Sequence, residues 1–201
     1  LRDEEIVAIV REMASVGVRK LRVTGGEPLV RRGLVSLIAQ LVQLPGIEEV
    51  ALSTNGMLLE RYVEALKAAG LSRVNISLDT LDAAKFSQVT RLGSLETVLR
   101  GIHAAQRVGL HPVKLNCVLL RGINDDDIDR FALLTMTQRL HVRFIELMPL
   151  GNPEFFHPDR FMSIAEAKER CETWGELVPM EALAGSGPAT ARWPTCWGLS
   201  P

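Results

Sequence analysis

A single carboxylate between two glycines and a proline makes Thr24-Gly25-Gly26-Glu27-Pro28 the stretch best placed to do chemistry. The residues before it, Leu21-Arg22-Val23, alternate apolar and polar as a short buried strand does. That strand cannot continue. Two glycines remove every Cβ, so the backbone can turn tightly and lie close to a ligand. Pro28 withholds an N–H and keeps Glu27 out of the helical region. Exposed N–H and C=O groups and one carboxylate therefore sit at a strand's C-terminal end, where α/β sheets and barrels bind ligands. An ordinary strand-to-helix turn has the same appearance, and a bare Gly-Gly does not choose between the two.

Four strands, this one included, carry polar residues at alternating positions. Arg22 shares a face with Thr24, Ser53 with Asn55, Asn75 with Ser77 and Asp79, and Lys114 with Asn116. The opposite faces carry Leu21 and Val23, Leu52, then Val74, Ile76 and Leu78, then Val113, Leu115 and Cys117. Helices must cover the apolar faces, which turns the polar ones toward the interior of a barrel, where aliphatic side chains are the norm. Arg22 and Lys114 on such a face need negative partners, because a buried charge without one is strongly destabilising. Glu27, Asp79, Glu146 or an anionic ligand meet that need.

The elements that position these residues alternate along the chain. Asp3-Glu4-Glu5 opens a helix that Gly17 stops, and strands follow near 19–24, 50–54, 73–78, 113–119 and 142–148. Helices lie between them at Leu34–Val42, Leu58–Ala69, Ala83–Thr90, Leu95–Val108 and Asp125–Thr135, with a last one near Ala165–Thr173. Strands alternating with helices, without successive hairpins, predict an α/β protein with a parallel sheet that can curl into a partial (β/α) barrel. At 201 residues, 47% hydrophobic and 23% charged, the chain suffices for one soluble domain, and a net charge of −1 gives no sign of a nucleic-acid or membrane partner. Cys117, Cys171 and Cys196 form no CxxC pair or zinc spacing, which fits a reducing cytoplasm. His103, His111, His141 and His157 are scattered and read as surface or structural.

The motifs together resemble a known family. Leu21–Pro28 looks like the GGEP-type motif of radical S-adenosylmethionine enzymes. With Ser53-Thr54-Asn55-Gly56, Asn75-Ile76-Ser77-Leu78-Asp79, Lys114-Leu115-Asn116 and Phe144-Ile145-Glu146-Leu147-Met148-Pro149, the chain resembles the GTP 3′,8-cyclases of molybdenum-cofactor biosynthesis. The resemblance implies a TIM-like partial barrel and a lyase acting on GTP. It implies that Gly25, Gly26, Glu27, Ser77 and Met148 bind S-adenosylmethionine, while Arg22, Ser53 and Lys114 bind GTP. Ser53 stands where threonine is usual and keeps a hydroxyl. In the family a cluster iron delivers an electron that cleaves S-adenosylmethionine, and the resulting radical attacks the GTP ribose; the full-length family also implies a homodimer.

Two departures accompany the resemblance. The family's CxxxCxxC loop, which carries one [4Fe–4S] cluster, and the C-terminal cysteines of a second are not in this sequence, and no cysteine here is assigned to a metal. The chain starts at Leu1, so the sequence reads as a fragment: a truncated domain over 1–189 with an atypical tail over 190–201. Such a fragment is expected to be inactive by itself. Other readings are another radical enzyme of this type, a non-catalytic remnant, or an aldolase-like barrel with a Schiff-base lysine.

Overall fold

The computed structural model describes residues 1–91, 93–148 and 157–178. Cys196, the loop after Met148 and the tail over 190–201 lie outside the described residues. Five strands, β1 (Lys20–Val23), β2 (Glu49–Thr54), β3 (Arg73–Ser77), β4 (Val113–Val118) and β5 (Leu140–Ile145), form one sheet in chain order. Seven α-helices accompany them among the described residues: α1 (Asp3–Ser15), α2 (Leu34–Val42), α3 (Leu59–Ala68), α4 (Ala83–Thr90), α5 (Leu95–Arg107), α6 (Ile128–Thr137) and α7 (Ile164–Glu172). This is the parallel α/β architecture of a partial (β/α) barrel. Among the described residues no helix is long and apolar enough to cross a membrane. The chain divides into two compact units. One comprises Leu1–Ser77 and Glu96–Val113, the other the described residues of Leu78–Leu95 and Lys114–Pro201.

In the first unit, α1 begins on three acidic residues that suit the positive end of its dipole, and the Glu5 carboxylate accepts from the Arg2 N–H at 2.7 Å. Strands β1 and β2, and β2 and β3, pair in parallel. Their register puts Lys20 beside Glu49, Ala51 between Arg22 and Arg73, and Ser53 beside Asn75. Val50, Leu52, Val74 and Ile76 lie on the other face, fully buried. Leu37, Ile38 and Leu41 of α2 and Val63 and Leu66 of α3 complete the core, with α2 packed on β2 and α3. Gly56, at φ 81°, lets that layer close: a Cβ there would meet Ile76 Cγ2 and Val98 Cγ1 at 3.0 Å.

In the second unit, α6 packs on β5 and α7. Phe131 meets Phe144 edge to face at 6.1 Å. Asp129 accepts from Arg170 Nη2 and from Trp174 Nε1, both at 2.8 Å, which ties α6 to the end of α7. Ser163 caps α7 reciprocally with Glu166. Two expectations shift here. The helix expected over 125–135 opens as a 3-10 turn, Asp125–Asp127, before α6. The fifth strand lies at Leu140–Ile145 rather than 142–148, because Leu140 is buried at its start and Glu146 leaves the ladder to accept from the Ile164 N–H at 2.9 Å.

Candidate functional site

The turn after β1 is built around Glu27. Its Oε1 accepts from the Leu29 N–H at 2.9 Å and from the Thr54 hydroxyl at 2.8 Å, and its Oε2 accepts from the Asn55 N–H at 2.8 Å. Both oxygens are thus engaged by the chain, one capping the short 3-10 turn Pro28–Val30 and both gripping the end of β2. The sequence reading offered Glu27 as a ligand carboxylate or as a partner of Arg22; its bonds to Thr54 and Asn55 went unforeseen. Thr54 is buried on the helix-covered face and also accepts from the Gly56 N–H at 3.1 Å, so one network holds both turns.

The glycines of that turn differ from Gly56. Among the described residues, a Cβ added at Gly25 or Gly26 would meet nothing within 4 Å. Gly25, at φ 157°, adopts a backbone that favours glycine, while packing among the described residues sets no requirement for bare backbone at Gly26. The open side is the one a closely approaching ligand would use.

Along the polar face of β1–β3 the side chains fall into levels. Arg73 and Glu49 form an ion pair at 2.5 Å, with 7% and 17% of their side chains exposed. Neither was singled out from the sequence, although both keep the period-two spacing with Asn75 and Ala51. At the next level Asn75 Nδ2 reaches Ser53 Oγ at 3.5 Å. Ser77 follows on the same face and is exposed. Arg22 is exposed as well. The expectation that its burial demands an anion is therefore corrected: among the described residues β1 heads the strand order, and no further strand covers its outer side.

The second unit holds the remaining residues singled out. Lys114 is buried, 4% exposed. His141, half-buried, has its pKa lowered by burial and by the charge of Lys114. Asp79 accepts from the Val118 N–H at 2.8 Å, and burial raises its pKa against that bond. Glu146 is exposed and spent on Ile164. Met148 lies beyond β5 and is 62% exposed, so it does not fill a core. Buried Asn124 donates to the Asp79 and Val118 carbonyls at 2.7 and 2.9 Å and accepts from the Leu120 N–H at 2.8 Å. Beside it, Asp127 takes the Thr80 hydroxyl at 2.5 Å.

The described cysteines do not fit an iron–sulfur cluster. Cys117 and Cys171 are buried; burial pushes the Cys171 thiol up to about 11 and the Cys117 thiol higher still, away from the thiolate that a metal requires. Among the described residues no group of three or more His, Cys, Asp or Glu could hold a metal ion.

Comparison with known proteins supplies the family. Residues 1–135 match the Radical SAM superfamily. The GTP 3′,8-cyclase of Pelotomaculum thermopropionicum is 49% identical over 190 residues, which are 94% of this chain and 58% of that protein. That of Alkaliphilus oremlandii is 51% identical over 183 residues, 91% of this chain and 56% of its own length. The chain thus spans little more than half of these curated relatives. The crystal structure of a radical SAM methyltransferase from Sphaerobacter thermophilus shares the fold at a TM-score of 0.64 and 18% identity, over 85% of this chain and 52% of that one. Matched over more than half its length, the chain belongs to the radical SAM superfamily.

Proposed function

We propose that this chain is the nucleotide- and cofactor-handling portion of a GTP 3′,8-cyclase working in the cytoplasm. The observation that carries the reading is 49% identity to such an enzyme over 94% of the chain. In this reading residues 1–189 are the radical SAM domain, 190–201 a tail of different character, and the whole enzyme a homodimer with two [4Fe–4S] clusters and no nucleic-acid or membrane partner. The described cysteines, Cys117 and Cys171, do not fit either cluster. S-adenosylmethionine, when bound, supplies the radical chemistry of the family. Gly25 and Gly26 offer it unhindered backbone groups, Glu27 fixes the turn that presents them, and Ser77 and Met148 add an exposed hydroxyl and thioether. Arg22, Ser53 and Lys114 bind GTP. An exposed guanidinium can fork onto a phosphate, and a buried ammonium gains most from a triphosphate's charge.

Titration calorimetry with GTP and guanosine tests this. Lys114→Ala is expected to weaken GTP binding by about 2–5 kcal/mol, as for truncating one member of a buried charge pair. Arg22→Ala, at an exposed position, should cost less, about 1.5–3 kcal/mol for a hydrogen bond to a charged group. Uncharged guanosine should bind parent and variants alike. Equal GTP affinity in all three folded proteins would overturn the assignment.

A further inference from the structure

Asn75 is 3% exposed, in the middle of β3 and in register with Ser53. Its Nδ2 makes one long contact, 3.5 Å to Ser53 Oγ, and its Oδ1 has no hydrogen-bond partner among the described residues. Below it on the same face Arg73 pairs with Glu49, and above it Ser77 is open to solvent. Buried acceptors are rarely left idle, because the lost hydrogen bond to water is not replaced. Leucine at this position would fill similar space without that cost. The amide is also weakly tethered, so it can turn toward an incoming group.

We infer that Asn75 is a ligand-recognising residue at the floor of the nucleotide site, its Oδ1 accepting a hydrogen bond from the ribose or base of GTP. The inference rests on the GTP reading above and extends it to specificity. An idle acceptor calls for a donor. The triphosphate offers only acceptor oxygens when ionised, whereas the ribose hydroxyls, the purine N1–H and the exocyclic amine are donors. A site built to accept from such a group discriminates against analogues that lack it, because its own buried atom is then left unpaired.

The test is titration calorimetry on the purified protein and on Asn75→Leu, with GTP, 2′-deoxy-GTP, 3′-deoxy-GTP, inosine triphosphate, 1-methyl-GTP and inorganic triphosphate. GTP should bind the leucine variant roughly 5- to 100-fold more weakly, the span of one hydrogen bond to a buried group. One analogue lacking a donor should bind the parent as weakly as GTP binds the variant, and should lose nothing more in the variant. Inorganic triphosphate should not distinguish the two proteins. Without ligand, Asn75→Leu should unfold at the same temperature as the parent or higher. Unchanged GTP affinity in the variant overturns this inference alone; a parent that binds no GTP overturns the proposed function and the inference with it. Loss of S-adenosylmethionine binding with GTP binding retained also overturns it. If the variant does not fold, the parent's analogue series decides: equal affinity for every analogue overturns the inference, and a selective loss supports it.

Discussion

Two asparagines, one in each compact unit, are almost equally buried and differently employed. Asn124, 2% exposed, donates to two backbone carbonyls and accepts from a backbone N–H, all within 2.9 Å. Asn75, 3% exposed, has one contact at 3.5 Å and an idle acceptor. Burial alone would rank them together. Satisfaction separates them: a saturated amide holds the chain in place, and an unsaturated one keeps hydrogen-bonding capacity for something the chain does not supply. The same division runs between Glu27, whose carboxylate is fully engaged, and the neighbouring glycines, which face open space.

The largest effect expected from this division is at Asn124. Replacing it with alanine deprives the Asp79 and Val118 carbonyls and the Leu120 N–H of their partner. Asn124→Ala should lower the unfolding free energy by about 3–5 kcal/mol in urea titration, as expected when several buried groups lose a partner together. A loss below about 1 kcal/mol would collapse the distinction between the two amides.

Glu27 comes next. Glu27→Ala removes the acceptor for two N–H groups and one hydroxyl, and should cost about 2–4 kcal/mol. Glu27→Gln should cost less, since an amide oxygen can keep Leu29 and Thr54, but its NH2 would then face the Asn55 N–H, donor against donor. If Glu27→Ala leaves stability unchanged and abolishes S-adenosylmethionine binding, the carboxylate is a ligand group and not a brace. Asn75→Leu stands at the other end, with no loss of stability expected.

Much of the fold was legible in the sequence because it depends on local patterns. Helix α2 and helix α4 have the expected bounds, and the strands through β4 lie within one or two residues of expectation. The polar face of β2 and β3 was legible too, since period two is intrinsic to a strand. Three features were not, and each depends on distant neighbours. The exposure of Arg22 follows from β1 standing first in the sheet. The bonds from Glu27 to Thr54 and Asn55 join turns 27 and 28 residues apart, brought together by parallel pairing. Asn124 sits in a loop, where no periodicity announces a buried amide, and its partners come from β4 and from the turn after β3.

The smallest expected loss of stability concerns a carboxylate that is fully engaged but exposed, Glu166 at the start of α7. Its Oε1 accepts from Arg121 Nη2 at 2.5 Å and its Oε2 from the Ser163 N–H at 2.9 Å, while 43% of its side chain remains open to water. The Arg121 bond, and then the bonds from Ser163, hold its pKa down at about 2 against an ordinary 4.5. A folded pKa below the unfolded one means that the unfolded chain binds more protons in this interval. The contribution is therefore complete above pH 4.5 and is lost as the pH falls toward 2. Buried Asp79, with a raised pKa, has the opposite sign: its protonation favours the folded chain as the pH falls toward its ordinary value. Solvent screening keeps the Glu166 effect small, and salt should shrink it further. Urea unfolding measured between pH 4.5 and 2 should therefore show a shallower acid slope in Glu166→Gln than in the parent, while Asp79→Asn should lack the parent's gain in stability as the pH falls toward 3.8 from above. Carboxyl NMR provides the direct check: a Glu166 that titrates near 4.5 would show that these bonds do not persist in solution. Satisfaction would then mark structural residues only where burial protects it.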